Sequence, residues 1–125
     1  GATPPGGGPR GDLVIETRVR PHPLFRREGL DLHLKLPVTL AEAYSGATVD
    51  VPTFAGPVKL RIPARTQSGS RLRLRGKGVA RSGRKGDLYV EVELRFPEVD
   101  DAELARALKG AESKYQRPVR EEIRL

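Results

Sequence analysis

The feature that most constrains this chain is a two-residue alternation of apolar and polar side chains, repeated in short runs that each end at glycine or proline. In DLHLKLP, Leu32, Leu34 and Leu36 alternate with Asp31, His33 and Lys35. In PVKLRIP, Val58, Leu60 and Ile62 oppose Lys59 and Arg61, and in RLRLR, Leu72 and Leu74 oppose Arg71, Arg73 and Arg75. GDLYVEVELRFP places Leu88, Val90, Val92 and Leu94 on one side, and ATVDVPTF is a further extended run. A period of two is that of a strand with one face covered. Turn-forming residues reinforce it: 14 Gly and 11 Pro among 125 residues are well above the roughly 12% average for the pair. Many short strands joined by turns are therefore expected, not a helical bundle.

Two helices interrupt this pattern. In TLAEAYSG, Thr39 and Glu42 have the spacing of a capping box and Gly46 supplies a stop, so a helix of barely two turns is predicted. Near the C-terminus, Asp100 and Glu103 open a second helix, with Leu104, Leu108, Ala111 and Tyr115 as its apolar stripe. Gly110 weakens it and Pro118 ends it. Residues 1–10 read as loop, and 11–20 as a strand in which Leu13, Ile15, Thr17 and Val19 share a face. Residues 21–29, with Pro21 and Pro23, read as an extended connector, and 76–86 as a basic glycine-rich loop. Gly11-Asp12-Leu13 recurs as Gly86-Asp87-Leu88, and five of ten positions match between 11–20 and 86–95. This faint repeat suggests one complete β-subdomain preceded by the last strand of an earlier copy, in a piece of a longer protein.

No catalytic constellation emerges. Cysteine is absent, which removes thiolate nucleophiles, disulfides and cysteine zinc sites. His22 and His33 have no ligand cluster beside them, and the acidic pairs Asp100-Asp101 and Glu121-Glu122 read as helix caps and solvated charge. No metal, cofactor or enzymatic activity is expected. No run approaches the ~18 apolar residues of a membrane span, so a cytoplasmic chain without membrane contact is expected. The net charge of +7 and the basic run Arg71, Arg73, Arg75, Lys77, Arg81, Arg84 and Lys85 leave a β-rich nucleic-acid-binding module as the alternative reading. It is disfavoured because Tyr89 is the only aromatic nearby and no helix is basic enough for a groove. An arginine row also protects a strand from edge-to-edge aggregation. Exposed sheet edges bordered by apolar side chains suit the other class of function, gripping extended polypeptide through its main chain.

The motifs also occur in a specific order. A proline-flanked His22 precedes Phe25 and Arg26-Arg27, and a leucine strand ends at Pro37. A small helix closes at Gly46, and a strand carries Val51-Pro52-Thr53. Then comes Thr66-x-x-Gly69-x-x-x-Arg73-x-x-Gly76-x-Gly78. This set, spanning residues 11–97, resembles the carboxy-terminal region of DnaJ-type co-chaperones. The resemblance implies a mainly β fold: a small sandwich-like subdomain with one short helix, followed by a C-terminal helix. It assigns 1–20 to the end of a preceding β-subdomain, 30–97 to a second, client-binding subdomain, and 98–125 to dimerisation. It implies a shallow groove between the leucine strand and the strand after the short helix, lined by Leu34, Leu36, Val49, Val51, Thr53 and Val90. It implies homodimer contacts through Leu104, Leu108, Ala111 and Tyr115. The implied partners are unfolded client polypeptides and, through the full-length protein, a DnaK-type chaperone. The chain has no His-Pro-Asp triplet, so stimulation of a DnaK-type ATPase is not expected of this piece.

Overall fold

A computed structural model describes residues 24–124. The expected loop at 1–10, the strand at 11–20 and His22 lie outside the described residues. Eight strands and two helices follow: β1 Phe25–Glu28, β2 Asp31–Thr39, α1 Leu40–Ser45, β3 Ala47–Val51, β4 Val58–Ile62, β5 Arg71–Leu74, β6 Ala80–Arg81, β7 Arg84–Lys85, β8 Leu88–Arg95 and α2 Ala102–Gly110. The domain is mainly β, as the alternation predicts.

Four strands form one sheet in the order β1-β2-β8-β5. Its central pair, β2 and β8, is parallel, with Leu32 opposite Leu88 and Leu34 opposite Val90, while β1 and β5 flank it antiparallel. The inward faces meet the β3–β4 hairpin and α1 in a single apolar cluster. Leu32, Leu34, Val38, Leu88, Val90 and Val92 come from the sheet, Val51, Leu60 and Ile62 from the hairpin, and Ala43 from α1. No polar side chain is buried among the described residues, so packing of aliphatic side chains between two layers holds the body together.

Local chemistry explains the connections. The Thr39 hydroxyl accepts from the Glu42 amide at 3.1 Å while the Glu42 carboxylate accepts from the Thr39 amide at 3.0 Å, completing the expected capping box. Gly46, at φ 82°, ends α1 with its amide donating to the Glu42 carbonyl.

Three elements differ from the sequence reading. Residues Phe25–Glu28, read as connector, form edge strand β1, because a two-residue turn at Gly29-Leu30 folds them back on β2. The basic loop contains the small hairpin β6–β7. Ser82 and Gly83 at its tip take φ of 53° and 77°, the left-handed pair that a two-residue hairpin turn demands. Strands of two residues leave no periodic trace. At the C-terminus, Asp101 and not Asp100 caps α2, accepting from the Leu104 amide at 2.8 Å. The α-helix ends at Gly110, well before Pro118, and Ala111–Lys114 continue as a 3-10 turn. Leu104 and Leu108 therefore share one α-helical face, Ala111 lies in the tighter turn, and Tyr115 is extended beyond it.

Candidate functional site

The six groove residues separate by burial. Leu34 is 5% exposed and Val51 and Val90 are 0% exposed. All three belong to the core and are withdrawn as lining, since alternation marks which residues share a face but not which face is covered. Leu36 on β2 and Val49 on β3 are half-buried at the margin of that core. Thr53 is committed to the loop after β3: its hydroxyl donates to the Gly56 carbonyl and accepts from the Ala55 amide. It is a turn residue. Val58, Leu72 and Leu94 are among the other half-buried apolar residues at the margin of the core, and the sequence reading placed them on strand faces and not in the groove.

The hairpin layer contributes a second property. It has only two strands, and β3 pairs with β4 from Ala47 opposite Ile62 to Val51 opposite Val58. No strand pairs with the outer edge of β3 among the described residues. In an antiparallel pair, alternate residues turn N–H and C=O away from the partner. A row of main-chain donors and acceptors thus runs beside the half-buried Val49.

The opposite face of the four-stranded sheet is polar. Arg26, His33, Tyr89 and Arg73 form a row across it. His33 meets the Glu28 carboxylate at 3.1 Å and stacks on Tyr89 at 5.2 Å between ring centroids, while the Arg73 guanidinium lies 5.7 Å from the same ring. Tyr89 is thus already engaged by two neighbours, which weakens the nucleic-acid reading. No group of His, Cys, Asp and Glu among the described residues is arranged to hold a metal. Among them, no helix is long and apolar enough to cross a membrane.

One carboxylate joins the strands at the end of this face. Asp87 accepts from the Gly76 amide at 2.8 Å and from Arg73 at 2.6 and 2.9 Å, and its own amide donates to Asp31. The Gly76 amide first, and Arg73 second, hold its carboxyl below the usual carboxylate range. A carboxyl that ionises more readily folded than unfolded contributes stability above its unfolded pKa of about 3.9, lost as pH falls through the lower folded value. The Asp87→Asn chain is expected to be less stable at neutral pH. Its stability should also change less on acidification from about pH 5 to pH 2, as followed by far-UV circular dichroism in urea. Equal acid sensitivity in the two chains would remove Asp87 from this role.

Sequence comparison agrees with this architecture. The family model of the DnaJ C-terminal domain matches residues 1–97. The Chaperone protein DnaJ of Erysipelothrix rhusiopathiae is 54% identical over 93 residues, covering 73% of this chain and 25% of that protein. Its counterpart in Cupriavidus taiwanensis is 43% identical over 117 residues, covering 92% and 30%. That of Xylella fastidiosa is 46% identical over 113 residues, covering 89% and 31%. The chain thus spans about a quarter to a third of the length of these relatives. With the family match extending over most of its length, the chain belongs to the DnaJ C-terminal domain family.

Proposed function

We propose that this chain is a client-holding part of a DnaJ-type co-chaperone. An extended, apolar segment of an unfolded polypeptide lies along the outer edge of β3 and exchanges main-chain hydrogen bonds with it. Alternate side chains of that segment rest against Leu36 and Val49. The observation that carries this reading is the conjunction on β3 of an outer edge without a strand partner among the described residues and the half-buried Val49. Bonding to main chain tolerates many sequences, and a shallow margin gives little selectivity beyond apolar character. Both properties suit a holding role without chemistry.

Two copies joined through the C-terminal helix would grip a long client at two points and raise its apparent affinity through effective concentration. The full-length cytoplasmic protein would then hand the client to a DnaK-type chaperone.

The test is a chemical-shift titration with one denatured apolar peptide. Shifts are expected at Ala47–Val51 and near Leu36, with little response to a hydrophilic peptide of equal length. The double variant Leu36→Ala, Val49→Ala is expected to weaken binding about tenfold, equivalent to about 1.4 kcal/mol. Val90→Ala, in the core, should lower stability while the remaining folded protein binds as before. Unmoved β3 amides at saturating peptide would end the proposal.

A further inference from the structure

The β6–β7 hairpin carries more positive charge than its fold needs. Arg81 and Arg84 stand directly opposite each other across the ladder, where like charges destabilise a sheet. Neither they nor Arg75, Lys77 and Lys85 form an ion pair with a carboxylate among the described residues. Asp87, at the base of the hairpin, is taken by Arg73 and the Gly76 amide. The backbone that carries these cations is fixed in place. Gly86 donates to Val79 at 2.9 Å and Gly78 to Gly86 at 3.0 Å at the hairpin base, and Val79 donates to the Leu30 carbonyl at 2.7 Å, tying it to the β1–β2 turn. Little main-chain freedom is then lost on binding.

Strand β5 leads into this hairpin and is an outermost strand of the sheet, with no strand on its far side among the described residues. We propose that the β5 edge and the β6–β7 hairpin together receive an acidic polypeptide segment in extended conformation. The segment's main chain pairs with β5, and its carboxylates meet Arg75, Arg81, Arg84 and Lys85. Only a polypeptide uses both halves of this surface, since neither a polyphosphate nor a lipid headgroup can complete a β-ladder. The hairpin tip is Ser82-Gly83, without an apolar side chain to enter a bilayer, and Tyr89 is not free to stack a base. Arg71 and Arg73 on the strand are paired with Glu91 and Asp87, so the unpaired cations of the hairpin set the sign: they repel a basic strand and attract an acidic one. This site is separate from the β3 edge and does not depend on what β3 holds.

The experiment titrates the chain with a synthetic peptide alternating Glu and Val, and with its counterpart carrying Lys in place of Glu. Single-stranded oligothymidylate and phosphatidylserine vesicles are the remaining arms. The Glu peptide is expected to shift amides of Arg71–Leu74 and of Ala80–Lys85, to leave β3 unmoved, and to bind more weakly as salt rises. The double variant Arg81→Ser, Arg84→Ser is expected to bind it about fivefold more weakly. That variant changes only exposed side chains, and its far-UV circular dichroism and urea midpoint match wild type if it is folded. Equal binding of the Lys peptide would overturn the proposal. So would shifts that spare β5, or tighter binding of the oligonucleotide or the vesicles than of the Glu peptide.

Discussion

Replacing Gly86 with alanine is expected to cost at least about 4 kcal/mol of folding stability, a large share of the 5–15 kcal/mol typical of a domain. Gly86 is buried where the basic hairpin meets the start of β2. A Cβ at this position would overlap the Leu30 carbonyl group and come within 2.8 Å of the Asp31 amide nitrogen. These are main-chain atoms, so no flexible side chain can move aside. Leu30 is held by the bond from Val79, and Asp31 and Leu32 by bonds with Asp87 at 2.8 and 2.9 Å. Making room means separating β2 from β8 where their pairing begins. Urea unfolding of Gly86→Ala should show a greatly lowered midpoint or no folded baseline. Gly83→Ala is the contrast: nothing lies within 4 Å of its added carbon, leaving mainly the cost of a left-handed backbone, about 1 kcal/mol. Equal effects from the two substitutions would contradict the close approach at Gly86.

The second large effect is expected on self-association. Leu104 and Leu108 stand one turn apart on α2, and neither belongs to the core cluster or to the apolar residues packed against it. Leu108 is 45% exposed, and Tyr115, Val119 and Ile123 beyond it are more exposed still. A helix of nine residues is marginal alone in water and needs a surface to lie on. The proposed surface is the same segment of a second copy. Anchors of this kind contribute about 2 kcal/mol each at an interface, and a homodimer loses each of them twice, so Leu104→Asp with Leu108→Asp is expected to weaken dimerisation more than about a thousandfold. Sedimentation velocity across a concentration series reads the change. Unfolding of the sandwich at low concentration should be unaffected, because α2 contributes nothing to its core. A wild-type chain that sediments as a monomer at every concentration would remove the dimer.

Much of the fold was legible because the period of two survives wherever one face is covered. Leu32, Leu34, Leu88, Val90 and Val92 are all buried in the pattern their spacing implies, and the Thr39–Glu42 box caps α1 as its spacing requires. Strand β1 escaped notice because Arg26, Arg27 and Glu28 are all exposed on an edge, which erases alternation. The β6–β7 hairpin escaped because it has no apolar face. The candidate site was less legible for a different reason. Leu34 and Leu36 look alike in sequence, yet one is core and the other margin, and only the position of the β3–β4 layer separates them. Thr53 misleads similarly, since a loop hydroxyl and a groove hydroxyl have the same signature.

The parallel pairing of β2 with β8 also bears on how such a chain is made. Asp31 and Asp87, joined by a hydrogen bond, lie 56 positions apart, and long-range parallel contacts form only after a large loop has closed. At ribosomal speeds of about 5–20 residues per second, β2 waits roughly 3–11 seconds for its neighbour to be synthesised. Through that interval its leucines lack the part of the core that Leu88, Val90 and Val92 supply. A newborn chain of this family is therefore, for a few seconds, itself the kind of sticky, unfinished polypeptide that chaperones attend.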